Sequence, residues 1–170
     1  MIKRKTAMVA LFLFVSVTCF CSYAFAQAPG GGKDVGVLVA KIIMGISLSL
    51  GLAGSAIGLA IAFSALLGGG QENFFKNIAV ALMPSTQGIY SIVVLFANMD
   101  GFEADSYATA GKAAAFGFAM FFSAWYQGVV CAAGIRSILE GRNTLANAMV
   151  SGAMPETYAV FALVMTFIMK

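Results

Sequence analysis

Four long apolar runs, separated by short polar segments, dominate the chain from about Val35 onward. They extend from about Val35 to Leu67, Asn77 to Met99, Ala113 to Ile138 and Leu145 to Met169. Each exceeds the ~20 residues a helix needs to cross the hydrocarbon core of a bilayer. Runs one and three are long enough to tilt or to project beyond it. Backbone polar groups in lipid must be satisfied internally, so each run is predicted to be a closed helix. Residues 1–26 have a basic start, a short apolar stretch from Ala7 to Phe20 and Ala24-Phe25-Ala26 before Gln27. That is the form of a secretory signal peptide with an Ala-x-Ala cleavage site. Residues 27–34, rich in glycine, then form a flexible N-terminus outside the membrane.

Polar residues inside the runs are few, and they recur. Met83-Pro84-Ser85-Thr86 in the second run matches Met154-Pro155-Glu156-Thr157 in the fourth. The match predicts two tandem helical hairpins, residues 35–99 and 113–170, joined by an external loop at 100–112. Internal repeats in membrane proteins commonly place a site at the interface of the copies. The copies differ where it matters most, with Ser85 standing in the first and Glu156 in the second. Glu156 is the one acid within a run. A carboxylate at mid-bilayer depth costs roughly 2.5–3.5 kcal/mol even on lenient insertion scales, which marks it as a functional candidate.

Composition narrows the class. The chain has 170 residues, 61% of them hydrophobic and 10% charged, with a mean hydropathy of +0.92. A soluble domain of this length needs a charged surface that these residues cannot supply. The net charge of +3 comes from Lys3, Arg4 and Lys5 in the leader, so no basic surface for nucleic acid remains. There is no histidine. Cys19 and Cys21 lie in the leader and Cys131 in an apolar run, so neither a disulfide framework nor a zinc pattern can be assembled. No phosphate-binding loop is present, and the chain reads as non-catalytic with no organic cofactor. Arg136 and Arg142 flank the third connection, whereas Asp100, Glu103 and Asp105 crowd the second. The positive-inside rule and the leader therefore agree on an outer location for the mature N- and C-termini. Lys41 departs from that pattern and is expected to snorkel from the outer end of the first run.

Met83, Thr86, Gln87 and Tyr90 follow the i, i+3, i+4, i+7 spacing of one helix face. Pro84 and Pro155, inside their helices, each remove an amide donor and loosen the carbonyl one turn back. Gln127 is the one strong amide of the third run, a turn away from Ser123 and Cys131. Carboxylate, carboxamide, hydroxyl and carbonyl oxygens, without sulfur or imidazole, suit a hard cation. One carboxylate balances one charge, so sodium or a proton fits better than magnesium or calcium. A bland alternative is mutual hydrogen bonding of Gln87 and Gln127 that only ties helices together. Gly45, Gly51, Gly54, Ser55 and Gly58 form a small-residue stripe on the first run, suited to close approach of another helix.

Met83-Pro84-Ser85-Thr86-Gln87-Gly88-Ile89-Tyr90, Gln127-Gly128 with Ala132-Ala133-Gly134-Ile135, and Glu156-Thr157-Tyr158-Ala159 together resemble the membrane-rotor proteolipid (K or c) of bacterial V-type (V/A-type) rotary ATPases. The similarity covers all four runs in order. It implies a doubled hairpin that assembles into a homo-oligomeric ring, with the acid of the fourth helix carrying the ion. Sodium-transporting members bind through residues matching Met83 (by its carbonyl), Thr86, Gln87, Gln127 and Glu156, with Tyr90 hydrogen-bonding the acid. The resemblance also implies a stator subunit that supplies an arginine, central-stalk subunits on the cytoplasmic side, and a multi-pass location in the cell membrane. Ser85, where glycine is usual, and Pro155, where another apolar residue is common, depart from the family pattern without removing a ligand. The reading from another class is a small four-helix secondary exchanger, which would work as a dimer and carry its acid on an early span.

Overall fold

The computed structural model describes residues 32–169, and all of the regular structure among them is helical. The leader expected over residues 1–26 and the segment from Gln27 to Gly31 lie outside these residues. Helix α1 spans Gly32–Leu67. It starts inside the segment expected to be flexible up to Asp34, because extending an existing helix gains one hydrogen bond per residue fixed.

The second run is interrupted. Helix α2 (Gln71–Leu82) and helix α3 (Thr86–Ala97) are joined by a single 3-10 turn at Met83–Ser85. Pro84 has no N–H to give to Val80, and the Val80 carbonyl instead accepts from the N–H of Met83. An i to i+3 bond in place of i to i+4 is what tightens the turn. Pro84 therefore sits between two α-helices rather than within one, and the oxygen it would have freed is already occupied.

A one-turn helix, α4 (Gly101–Ala104), and the long helix α5 (Ser106–Leu139) take up most of the stretch expected to be an external loop at 100–112. Asp105 causes the earlier start: its carboxylate accepts from the Ala108 N–H at 3.0 Å, an N-cap bond that satisfies one open donor of the first turn. Helix α5 ends at Gly141, whose φ of 71° suits a residue without Cβ. There the Arg142 N–H reaches the Ser137 carbonyl and the Gly141 N–H that of Ile138, the paired bonds of a Schellman stop. Helix α6 (Leu145–Ile168) is capped by Thr144 and runs through Pro155 without a break.

Four helical stretches, Val35–Leu67, Asn73–Ala97, Ser106–Leu139 and Leu145–Ile168, are long and apolar enough to cross a membrane. They pack as two hairpins, α1 with α2–α3 and α5 with α6. Helices α1 and α5 form the main seam between the hairpins, while α6 leans on α5 and leaves most of its surface open. The seam closes at Gly58 and Gly128, where a Cβ on Gly128 would overlap the backbone of Gly58. The small-residue stripe of α1 is thus largely used inside the chain, whereas Gly45 has nothing within 4 Å of a Cβ position. One apolar cluster, with Ala40, Met44, Val94, Phe116 and Met120, lies toward one end of the bundle. Another, with Ala62, Leu66, Val80, Cys131 and Ile135, lies toward the other. A polar layer separates them.

Candidate functional site

That layer is built from short segments of three spans. The 3-10 turn and the start of α3 supply Met83, Thr86, Gln87 and Tyr90; the middle of α5 supplies Ser123 and Gln127; the middle of α6 supplies Glu156. Glu156 lies at the centre of its helix and is half-buried, and Gln87 and Gln127 are fully buried.

Both carboxylate oxygens of Glu156 are engaged from across the molecule. Tyr90 donates its hydroxyl to Oε1 at 3.1 Å, and Gln127 donates Nε2 to Oε2 at 3.2 Å. The same Gln127 nitrogen also reaches the Gly152 carbonyl at 3.0 Å. Gln87 donates Nε2 to Gln127 Oε1 at 2.6 Å and to Ser123 Oγ at 3.3 Å. The single hydroxyl proton of Thr86 is shared between Gln87 Oε1 at 3.3 Å and the Met83 carbonyl at 3.2 Å. Among the described residues no buried side-chain nitrogen or oxygen lacks a partner. A buried polar network satisfied at every member holds a single geometry, and a half-satisfied one would not be tolerated here.

All six residues singled out from the sequence thus belong to one network, and Gln87 and Gln127 do bond each other. That pair does not stop at tying helices, because Gln127 passes the contact on to the acid. Two further members were not singled out as candidates. Ser123, noticed only as a neighbour of Gln127, donates to the Pro155 carbonyl at 2.7 Å. Gly152 lies one turn before Glu156 on the same face, and a Cβ there would meet the sulfurs of Cys131 and Met83 at 3.0 Å. The i−4 spacing from the acid was the one signal available for it.

The chemistry of the layer suits a small hard cation. The Thr86 hydroxyl, the Gln87 and Gln127 carboxamide oxygens, the Met83 carbonyl and the Glu156 carboxylate are oxygen donors, and one negative charge stands among them. A half-turn of a carboxamide exchanges its nitrogen for its oxygen in the same place. Gln127 can therefore present either a donor or an acceptor to the acid. Glu156 is the one acid of this layer, and the described residues hold no group of three or more His, Cys, Asp or Glu side chains placed to bind a metal ion.

Comparison with known proteins bears on the same residues. The family model for the ATP synthase C subunit matches residues 110–169, the hairpin that holds Gln127 and Glu156. The A-type ATP synthase subunit K of Methanocaldococcus jannaschii is 34% identical over 129 residues, covering 71% of this chain and 59% of that protein. The V-type sodium ATPase subunit K of Enterococcus hirae is 28% identical over 145 residues, covering 81% of this chain and 93% of that protein. The chain is thus similar to the C and K subunits of ATP synthases, most directly in its second hairpin. With four helices long and apolar enough to cross a bilayer, the chain is a multi-pass membrane protein. Its matched region spans about 59% of the length of the archaeal relative.

Proposed function

We propose that this proteolipid is the ion-carrying subunit of the rotor ring of a V/A-type ATPase, and that Glu156 carries Na+ across the membrane. The observation that carries the reading is the position of Glu156: a lone acid at the centre of a spanning helix, with both oxygens held by Tyr90 of the first hairpin and Gln127 of the second. An unpaired carboxylate facing lipid is prohibitive in energy, so the acid can travel through the bilayer only with its charge cancelled. Ion capture supplies the cancellation. Met83, Thr86, Gln87 and Gln127 offer further oxygens to the captured ion, which favours sodium over a proton, since a proton needs only the acid and one acceptor.

In this reading the site empties when Glu156 faces a stator channel, where an arginine of another subunit pairs with it. Arg136 and Arg142 lie at the far end of α5 and in the turn beyond, so neither can serve. Nucleotide is hydrolysed or made by other subunits, which reach the ring through the central stalk. The excess of Arg136 and Arg142 at one end of the bundle and of Asp100, Glu103 and Asp105 at the other supports cytoplasmic placement of the basic end, with both termini outside and the cell membrane as location.

The test is carbodiimide modification of Glu156 in native membranes at neutral pH. Sodium ions are expected to slow the reaction in a concentration-dependent manner. Protection by acid but not by sodium would make the proton the cargo. Failure of Glu156 to react under any condition would remove it as the carrier.

A further inference from the structure

Ser55 belongs to the small-residue stripe of α1, but small size is only part of what it contributes. A helix that restarts after a break has open N–H groups in its first turn. Ser85 stands at the N-cap position of α3 and caps nothing, because its hydroxyl turns back to the Leu82 carbonyl at 2.7 Å. The Thr86 N–H goes to the Met83 carbonyl. The Gly88 N–H, third in the helix, donates to Ser55 Oγ of α1 at 2.8 Å. An N-cap side chain makes this bond within its own helix; here another helix supplies it.

The other end of the same peptide is also held. The Gln87 carbonyl accepts from Ser91 Oγ at 2.9 Å. Ser91 in turn lies against Gly51 of α1, where a Cβ would overlap its hydroxyl. Back-bonding of a serine to the carbonyl four residues earlier is ordinary in helices. Acceptance by Ser55 across two helices is not, and it closes the clamp. Ser55, Ser91 and Gln87 are all buried, so water has no easy access to replace either serine.

The clamped peptide joins Gln87 to Gly88 and follows directly on Thr86. Gln87 reaches Gln127 at 2.6 Å, and Gln127 reaches Glu156. A shift of this one peptide therefore moves the anchor of the whole polar layer on α3. We propose that Ser55 is a positioning residue of the ion site, which caps α3 from α1 and so fixes the reach of Thr86 and Gln87 toward the captured ion. The proposal rests on the rotor reading and deepens its ion site: α1, which supplies no ligand, sets the geometry of those that do.

Sodium protection of Glu156 from carbodiimide, in membranes carrying each variant, tests it. Ser55→Ala should raise the half-protecting sodium concentration roughly tenfold or more, since a buried donor left without a partner costs more than the bond was worth. The size of the detergent-extracted assembly should stay that of the parent. Ser55→Thr keeps the hydroxyl and should remain within about threefold of the parent. So should Ser64→Ala, whose hydroxyl on the same helix bonds back to the Ile61 carbonyl at 2.7 Å. An unchanged sodium requirement in Ser55→Ala overturns the proposal, as does a Ser55→Thr chain impaired as far as Ser55→Ala. If Ser55→Ala does not assemble, Ser91→Ala reads the other end of the clamp, and an unchanged requirement there overturns the proposal. A parent protected by acid alone fails the sodium reading instead. The same comparison is then made on the pH midpoint of the reaction, where a tenfold change is about one unit, and an unmoved midpoint in Ser55→Ala overturns the proposal.

Discussion

The two hairpins share one sequence pattern and put it to different use. In the first, Met83-Pro84-Ser85-Thr86 breaks its helix into two, and the break turns Thr86 and Gln87 toward the second hairpin. In the second, Met154-Pro155-Glu156-Thr157 stays within one helix, although both copies make the same back-bond, Thr157 to the Met154 carbonyl at 2.7 Å and Thr86 to the Met83 carbonyl at 3.2 Å. Such back-bonding by Ser or Thr helps a spanning helix carry an internal proline. Of the two matching turns, the first offers only neutral oxygens and the second carries the charge. Division of labour between the duplicated units leaves one acid per chain to be desolvated, where two equivalent acids would double that cost.

The comparison can be broken most directly at its charged member. Glu156→Gln keeps size and hydrogen bonding but removes the charge, and it should stop ATP-driven cation uptake into inverted vesicles altogether. Ser85→Ala, at the matching position, should leave uptake within about twofold. Equal effects of the two substitutions would erase the distinction between the hairpins.

Gln127→Ala removes the link between them. Hydrogen bonds to charged groups are worth about 1.5–3 kcal/mol, so the sodium concentration that half-protects Glu156 from carbodiimide should rise roughly 10- to 150-fold. Gly58→Ala probes the seam instead. Its Cβ would strike the Ala124 carbonyl and the Pro84 ring, and overpacking of this kind costs about 1–3 kcal/mol. A lower thermal midpoint of the detergent-purified protein is expected, with Gly45→Ala, which meets nothing, within about 0.5 kcal/mol of the parent. Tyr90→Phe should have the smallest effect on the site: it removes a single hydrogen bond to the Glu156 carboxylate, about 1.5 kcal/mol at the low end of the range for charged groups, or roughly tenfold in ion affinity.

Much of this was legible in the sequence for a physical reason. Lipid forbids open backbone, so apolar length alone announces a spanning helix, and a single acid in such a run stands out by its cost. The spacing of Met83, Thr86, Gln87 and Tyr90 on one face likewise follows from helix geometry. What composition and spacing could not show was direction. Whether Gln127 turns toward Gln87, Glu156 or Gly152 depends on how α5 rotates against α6, and that is set by contacts far along the chain. The same holds for the stripe on α1: small residues announce a close neighbour but do not say whether it is α5 of the same chain or a helix of another. The interruption at Pro84 and the continuity at Pro155 were also hidden, because a proline signals only a missing donor. At Pro84 the Met83 N–H takes over the Val80 carbonyl, a bond that a missing donor does not announce.

The bonds from Thr86 to Gln87, from Gln87 to Gln127 and from Gln127 to Glu156 all run the same way, each proton aimed one step nearer the acid. Aligned dipoles of this kind reinforce one another, so the negative charge at Glu156 orders amides as far away as the bend at Met83. Once that charge is cancelled, the motive for the alignment goes with it. Cancelling the charge on one helix is therefore expected to loosen side chains held on another.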